Sequence, residues 1–383
     1  MIRNKKIPYN KPYIIGKELY YIASAVIENA QTSGDGRFTK LCHEWLEKNL
    51  NTKKALLTHS CTGALEMSAI LADIQPGDEV IMPSFTFVST ANAFVLRGGI
   101  PVFVDIKKDT LNIDERLIEN AISEKTKAIV PVHYAGHSCN MDVINKMAEK
   151  KNLFVIEDAA QALFSKYNGK NLGTIGHLGC LSFHETKNVI SGEGGALLIN
   201  DERFIERAQI IWQKGTDRKN FEAGLVDKYT WVDIGSSFLP GEIIAAFLYA
   251  QLERAEEIIS KRKKLFSIYF EQLKPLEEKG YITLPHPDIE YSANGHIFYF
   301  LTKNAADRTE LLSFLNNNNI KAIFHYIPLH SASVASKFSR VASSMDVTDD
   351  VSVTIVRLPL FFEMTIEEIE YVIYAIYSFY GIK

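Results

Sequence analysis

The sequence predicts an α/β protein with a large, mostly parallel seven-stranded sheet, followed by a smaller α+β domain. From about residue 54 to residue 199, short β-branched apolar runs alternate with longer helix-like stretches, and this rhythm stops after Asn200. The composition, 46% hydrophobic and 23% charged residues, is that of a folded globular protein. A chain of 383 residues exceeds one ordinary core, so two packed parts are expected.

The seven predicted strands are the apolar runs at 55–58, 79–82, 101–106, 128–133, 154–157, 179–183 and 196–199. Helix-like segments lie between them at 64–71, 89–96, 114–122 and 141–150. Strands and helices that alternate at these lengths predict a parallel sheet covered on both faces. Ligands of such sheets bind beyond the carboxyl ends of the strands. The residues that follow each strand are therefore the candidates for a functional site.

The second half of the chain has a different pattern. A segment of irregular polarity at 214–233 leads into one long amphipathic helix predicted over 242–273. A strand at 296–302, a helix at 307–316, a strand at 322–326 and a last helix from Thr365 are expected after it. We therefore predict a large α/β domain at 1–240, a linking helix at 241–279 and a small α+β domain at 280–383.

Charge and cysteine content exclude several classes of protein. A formal net charge of -4 argues against nucleic-acid binding, which needs a basic face. The longest apolar run, 243–250, is too short to span a membrane, and prolines follow the basic N-terminus where a signal peptide would have an apolar core. The cysteines, Cys42, Cys61, Cys139 and Cys180, are too widely spaced for a zinc site or a disulfide framework. We expect a cytoplasmic protein without a metal.

Lys187 is the first candidate for chemistry. Lysines are usually solvated surface groups, but Lys187 follows the apolar strand that ends near Ser182 and precedes a glycine cluster at 192–195. Glycines there allow close backbone approach. A lysine held in this way suits a Schiff base with an aldehyde cofactor. The glycine cluster does not open a helix after the first strand, so it is a weak match to a dinucleotide-binding loop.

Asp158 is the second candidate, because it directly follows the predicted strand at 154–157. In a purely structural role it caps the next helix or pairs with a nearby charge. In a functional role it lies beside the pyridine nitrogen of pyridoxal phosphate, where a carboxylate keeps that nitrogen protonated and the ring serves as an electron sink. Asp158 and Lys187 would then hold two sides of one flat ring. Gln161, about one turn further on, either donates to the phenolic oxygen of the ring or is exposed.

The turn after the first strand offers a place for a phosphate. Small residues at 60–64, including Cys61 and Thr62, precede a helix, so free N–H groups would lie at the positive end of its dipole. The alternative is an ordinary helix cap by Ser60 or Thr62. Phe87, after the second strand, either stacks on an aromatic ring or packs in the core. All these residues are expected at the same edge of one sheet.

Three strings carry a resemblance to a known family: SFHETKN at 182–188, EDAAQ at 157–161 and PVHYAG at 131–136. Over nearly its whole length the chain resembles the DegT/DnrJ/EryC1/StrS family of sugar-nucleotide aminotransferases. The resemblance implies a fold-type I enzyme that depends on pyridoxal phosphate and works as a homodimer with shared active sites. It also implies a nucleotide-sugar substrate and L-glutamate as the amino donor.

The family's functional positions can be matched to residues of this chain. Lys187 matches the lysine that binds the cofactor, Asp158 the partner of the pyridine nitrogen, and Gln161 the neighbour of the ring oxygen. Phe87 falls where the family stacks an aromatic ring. The phosphate positions are Cys61, Thr62 and Ser182, with Ser237 reaching from the other subunit, where the family more often has Asn. Tyr326 and His330 lie where the small domain approaches the sugar.

The implied reaction places an amine on C4 of a dTDP-4-keto-6-deoxy sugar, with the galacto configuration, for surface-polysaccharide synthesis. The sequence itself leaves open the nucleotide, amination at C3 or C4, and an axial or equatorial product. Related dehydratases lack the lysine, so Lys187 disfavours that class. A cofactor-sensing regulator would need an appended DNA-binding module, and the chain has no basic segment for one.

Overall fold

The computed structural model describes residues 6–285 and 291–382. Its strands are β1 (Lys54–Thr58), β2 (Glu79–Pro83), β3 (Ile100–Val104), β4 (Thr126–Ile129), β5 (Phe154–Asp158), β6 (Lys166–Tyr167), β7 (Lys170–Asn171), β8 (Leu178–Ser182), β9 (Gly195–Ile199), β10 (Ile282–Thr283), β11 (Tyr291–Ser292), β12 (Phe298–Thr302), β13 (Arg340–Val341) and β14 (Ile355–Leu358).

Helices separate most of these strands. They are α1 (Glu18–Ala23), α2 (Arg37–Leu50), α3 (Cys61–Leu71), α4 (Val88–Val95), α5 (Glu115–Ala121), α6 (Met141–Lys151), α7 (Ile205–Trp212), α8 (Arg218–Glu222), α9 (Glu242–Leu252), α10 (Ala255–Glu278), α11 (Ala305–Asn317), α12 (Ala335–Phe338), α13 (Asp346–Thr354) and α14 (Ile366–Phe379). None of the helices in the described ranges is long and apolar enough to cross a membrane.

The large sheet has the strand order β1-β9-β8-β5-β4-β2-β3-β13. It contains all seven predicted strands, and β13 adds a short eighth strand, parallel to β3, that two residues were too few to predict. Strand β9 runs against its neighbours β1 and β8, and the other pairs are parallel. The carboxyl ends of β1, β5 and β8 therefore lie at one edge, where β9 begins.

Both faces of this sheet are covered. Because side chains alternate along a strand, Leu57 and Val155 pack in one buried cluster, with residues of α2, α6 and α9. Leu56 and Ile156 point the other way, into a cluster formed with α3, α4 and α7. Strands buried on both faces explain the continuous apolar runs in the sequence.

A second, antiparallel sheet in the C-terminal part has the order β10-β12-β14. On one face Val356 and Leu358 pack with α10, α11 and α14. On the other face Tyr299 and Ile355 pack against Phe85 and other residues that follow the large-sheet strands. The second sheet therefore lies against the edge of the large sheet where the strands end.

Two predicted elements differ from the structure. The single helix predicted over 242–273 is two helices, α9 and α10, because Arg254 leaves the helical conformation between them. Glu253 at this break accepts a hydrogen bond from Tyr21, so the turn is fixed by the N-terminal region. The strand predicted at 322–326 does not form beyond a single bridge from Ile323 to Arg357.

The boundaries at 240 and 280 stay a prediction. Contacts cross them in both directions, since Ile7 pairs with Ile320 and β13 belongs to the large sheet. The small sheet β11-β6-β7 also joins residues from both sides.

Candidate active site

A cavity of about 810 Å³ lies at the edge of the large sheet where β1, β5 and β8 end. Most of the predicted site residues line it: Cys61, Thr62, Phe87, Asp158, Gln161, Ser182, Lys187 and Tyr326. The prediction that turns after separate strands share one edge is therefore confirmed for all of these residues except Tyr326, which comes from the C-terminal part of the chain. Ser237 and His330 are not among the lining residues.

Lys187 lies in the loop between β8 and β9. Its backbone N–H donates to the carbonyl of His184, at 2.9 Å, and Glu185 is tied in the same way to Gly192 at 2.8 Å. Within the described ranges no group forms a hydrogen bond or ion pair with Nζ of Lys187. Burial lowers the pKa of this amine below its usual 10.5, and Arg357 adds to the effect, whereas Cys61 and Asp158 oppose it. The amine is therefore unpaired and easily made neutral.

The Asp158 carboxylate forms part of the cavity wall and is only 5% exposed. The Thr90 hydroxyl donates to Oδ2 at 2.7 Å, and the N–H of Ala160 donates to Oδ1 at 3.1 Å. These two donors fix the orientation of the carboxylate, which retains lone pairs for a further donor. The alternative role as a helix cap is not observed, because an irregular segment follows β5.

Gln161 joins the two parts of the chain. Its carbonyl oxygen accepts from the N–H of Ala135 at 2.7 Å, and its amide nitrogen donates to the hydroxyl of Tyr326 at 2.9 Å. Gln161 is buried rather than exposed. The amide is therefore held in place by a tyrosine from the C-terminal part.

The turn between β1 and α3 has the features of an anion site. Ser60 caps α3 by accepting from the N–H of Gly63 at 3.1 Å, while the N–H groups of Cys61 and Thr62 find no acceptor in the described part of the chain. Gly195, which pairs with Thr58 and Ser182, approaches this turn so closely that a Cβ atom would overlap the backbone of Ser60 and Cys61. Free N–H groups at a helix N-terminus attract a phosphate.

The ring of Phe87 is 57% exposed at the cavity wall, whereas that of Phe85 is buried in the core. Of the two predicted roles for Phe87, packing in the core is therefore wrong. The ring centroid lies 6.4 Å from that of Tyr326. An exposed flat ring beside Lys187 and Asp158 leaves space for a planar group to stack.

Sequence reasoning missed several residues of the cavity: Tyr9, Thr90, His296, His325 and Arg357. Arg357 could have been noticed in the sequence, because it is the only charged residue in the otherwise apolar run at 355–362. Burial lowers the pKa of His325 well below 6.5, and the positive charge of Arg357 lowers it further, so the imidazole is neutral. Its Nδ1 accepts from the Tyr134 hydroxyl at 2.5 Å.

Comparison with known proteins identifies the family. A model of the DegT/DnrJ/EryC1/StrS aminotransferase family matches residues 14–377. The chain belongs to this family. It is 30% identical to GDP-perosamine synthase of Escherichia coli O157:H7, with 99% of this chain and 100% of the relative covered. It is 31% identical to the UDP-4-amino-4-deoxy-L-arabinose–oxoglutarate aminotransferase of Shewanella sediminis, at the same coverage.

A solved structure of a related protein agrees with this family assignment. Spr1654 of Streptococcus pneumoniae, in its PLP form, superposes with a TM-score of 0.89 and 25% identity, covering 98% of this chain and 99% of that one. The protein is therefore a sugar aminotransferase with the fold of the pyridoxal-phosphate-dependent aminotransferases, and its cofactor is pyridoxal phosphate.

The residues present fit this cofactor. The cavity offers an unpaired amine for the aldehyde, a carboxylate for the pyridine nitrogen, the Gln161 amide for the phenolic oxygen and unpaired N–H groups for the phosphate. Pyridoxal phosphate supplies an electron sink that stabilises negative charge on a carbon attached to the transferred nitrogen.

Two predicted residues of this aminotransferase lie outside the cavity. Nδ1 of His330 is 2.8 Å from the hydroxyl of Ser84, and Nε2 is 3.3 Å from Asp349. Ser237 lines a separate cavity of about 560 Å³, together with Asp35 and Lys214. Neither side chain lines the cavity that contains Lys187 of the same chain.

Proposed function

We propose that the enzyme transfers the amino group of L-glutamate to C4 of dTDP-4-keto-6-deoxyglucose, giving dTDP-4-amino-4,6-dideoxygalactose and 2-oxoglutarate. The observation that carries the transamination is the unpaired amine of Lys187 in a cavity that also contains Asp158 and the turn at 60–62. The choice of sugar rests on the sequence resemblance. The relative from Shewanella supports the donor and the position, since its name contains oxoglutarate and a 4-amino sugar.

The side chains have separate tasks in this proposal. Asp158 would hold the pyridine nitrogen of the cofactor, and Phe87 would stack on its ring. Gln161, fixed by Ala135 and Tyr326, orients the ring oxygen. The phosphate is held by the N–H groups and side chains of the turn and of β8: Cys61, Thr62 and Ser182.

Lys187 moves the proton. Its amine, which burial keeps easily neutral, takes a proton from the α carbon of the donor and later delivers one to the sugar carbon that gains the amine. One residue serves both halves of the reaction, so the two substrates must use the same space in turn. Tyr326 and, more remotely, His330 are proposed to approach the sugar.

The proposal extends to the cellular setting. We infer a cytoplasmic homodimer with shared active sites that provides an amino sugar for surface polysaccharide. The position of Ser237 outside the cavity of its own chain supports sharing, because a role at the cofactor phosphate would require the partner subunit.

The product distinguishes the possible sugars. The purified enzyme is incubated with L-glutamate and dTDP-4-keto-6-deoxyglucose, and the proton NMR spectrum of the product is recorded. A small coupling between the protons on C3 and C4 means an axial amine and the proposed galacto product. A large coupling means the gluco epimer, and absence of product with this substrate contradicts the proposed sugar. Lys187→Ala, checked for native fold by circular dichroism, is the inactive control.

A further inference from the structure

Arg357 enters the cavity from the C-terminal sheet. On β14, Val356 and Leu358 point into the core formed with α10, α11 and α14. Arg357 lies between them and opposite Tyr299 in the strand ladder, so its side chain emerges on the face that is turned toward the large sheet. The backbone of Arg357 is also paired with Ile323 on the other side, at 2.8 and 3.1 Å. The arginine is therefore held by two neighbouring segments.

The guanidinium of Arg357 has no anionic partner in the described part of the chain. Its Nε is buried without an acceptor, and its Cζ lies 4.7 Å from the centroid of the Tyr9 ring. The carboxylates that line the cavity are engaged elsewhere: Asp158 with Thr90, and Glu193 with His184 at 3.7 Å. A partly buried cation without a counter-ion is costly, so the position suits an anion that comes from outside the chain.

The place of the cation suggests which anion this is. The turn proposed to bind the phosphate leads into α3, whereas Arg357 comes from β14 and lines the same cavity as Lys187, whose pKa it lowers. Of the histidines that line the cavity, His296 and His325 are neutral because burial lowers the pKa of each well below 6.5, and His184 lies 3.7 Å from the carboxylate of Glu193. Arg357 is thus the fixed positive charge near the reactive amine.

We propose that Arg357 binds a carboxylate of the amino donor and so selects an amino acid over an amine that has no carboxylate; this inference rests on the proposed function. A guanidinium matches a carboxylate with two parallel hydrogen bonds. The contact would place the donor's α carbon within reach of Lys187, and 2-oxoglutarate would leave from the same position. The keto sugar has no carboxylate, so the sugar half of the reaction needs no such contact.

Binding of glutarate to the holoenzyme tests the contact without catalysis. Glutarate has both carboxylates of the donor but no amine, and calorimetry measures its affinity. Arg357→Gln should weaken binding about 10- to 100-fold, and Arg357→Lys, which keeps the charge but loses the fork, by less. The matched control is Arg203→Gln, because Arg203 is exposed and paired with Asp201 beyond the far end of β9. It should bind glutarate like the wild type.

The two half-reactions, followed separately through the cofactor absorbance, give a second readout. Arg357→Gln should raise the KM for L-glutamate at least tenfold while the KM for the sugar nucleotide changes less than twofold. The inference is overturned if the sugar KM rises instead, which would assign Arg357 to the nucleotide diphosphate, or if the wild type does not bind glutarate. A wild type that binds glutarate in an Arg357-dependent way but forms no amino sugar would contradict the proposed sugar and support this inference.

Discussion

Among the single residues, Lys187 is the one whose charge would decide the proposed chemistry. A protonated amine is not a nucleophile, and an exposed lysine is protonated at neutral pH. Here burial and Arg357 lower the pKa of Lys187, while Cys61 and Asp158 hold it up. The positive charge that we assign to donor binding therefore also helps to make the lysine reactive.

This balance predicts the pH dependence of cofactor capture. When apoenzyme is mixed with pyridoxal phosphate, the rate should rise with pH through the pKa of Lys187, because only the neutral amine reacts, and the midpoint should lie below 10.5. Arg357→Gln removes a charge that lowers this pKa, so its midpoint should move to higher pH. Stopped-flow absorbance measures the rate, and reduction with borohydride followed by mass spectrometry locates the attached cofactor.

The control for this experiment is Lys187→Ala, which should show no covalent attachment at any pH. A midpoint at or above 10.5, or attachment to a different lysine in the wild type, would remove Lys187 from its proposed role. A midpoint that moved to lower pH in Arg357→Gln would contradict the assigned electrostatic effect.

The residues of the site were predictable to different degrees. Lys187 and Asp158 stand at strand ends, so the sheet pattern alone put them at one edge. Arg357 was missed because it reaches the cavity only if its face of β14 packs against the large sheet. The alternation of side chains along a strand does not show how two sheets pack against each other. Thr90 was missed because its partner, Asp158, is 68 positions away in the chain.

At the scale of elements, the N-terminus of α2 is held by a side chain from another helix. Gly36, the residue before α2, has no side chain to cap it. The buried carboxylate of Glu242, in the first turn of α9, accepts instead from the N–H groups of Gly36, Phe38 and Thr39, at 2.7 to 3.0 Å, and from the hydroxyl of Thr39. A carboxylate at this position also complements the helix dipole.

Replacing this cap should destabilise the protein. Glu242→Gln keeps the shape but presents an amide NH₂ to N–H donors, so we expect a loss of about 2 kcal/mol in the free energy of unfolding and a thermal midpoint lower by a few degrees. Differential scanning calorimetry of the holoenzyme measures it. The matched control is Glu202→Gln, whose exposed pair with Lys53 should contribute at most about 1 kcal/mol. Equal midpoints for the two variants would contradict the role of Glu242.

The errors in predicting elements have a common origin. The amphipathic period of 242–273 is nearly continuous, but tertiary contacts at Glu253 break the helix. The segment at 322–326 is apolar enough for a strand, yet the side chains of His325 and Tyr326 bond to Tyr134 and Gln161 of the large-sheet part. The strands of the large sheet were predicted from local sequence because strands buried on both faces consist almost entirely of apolar residues.

On the scale of the whole molecule, the surface near Ser237 is unusually apolar for one chain. The segment at 221–234 exposes large side chains, with Trp231 80% and Leu225 74% accessible. Exposed apolar groups that cluster in this way usually mark an interface. The cluster adjoins the cavity that contains Ser237, so a homodimer that covers it would bring Ser237 toward the other subunit.

Shared active sites predict complementation between two inactive variants. Lys187→Ala has no reactive amine, and Ser237→Asp should repel the phosphate by its charge. If Ser237 serves the partner's cavity, a mixed dimer retains one intact site, so co-expression in equal amounts should restore about a quarter of the wild-type activity. If Ser237 serves its own chain, each site of the mixed dimer contains one defect and no activity returns. Tagging the two chains differently and purifying the mixed dimer before the assay separates these outcomes. A Ser237→Asp enzyme that is fully active by itself would contradict the role of Ser237 at the phosphate.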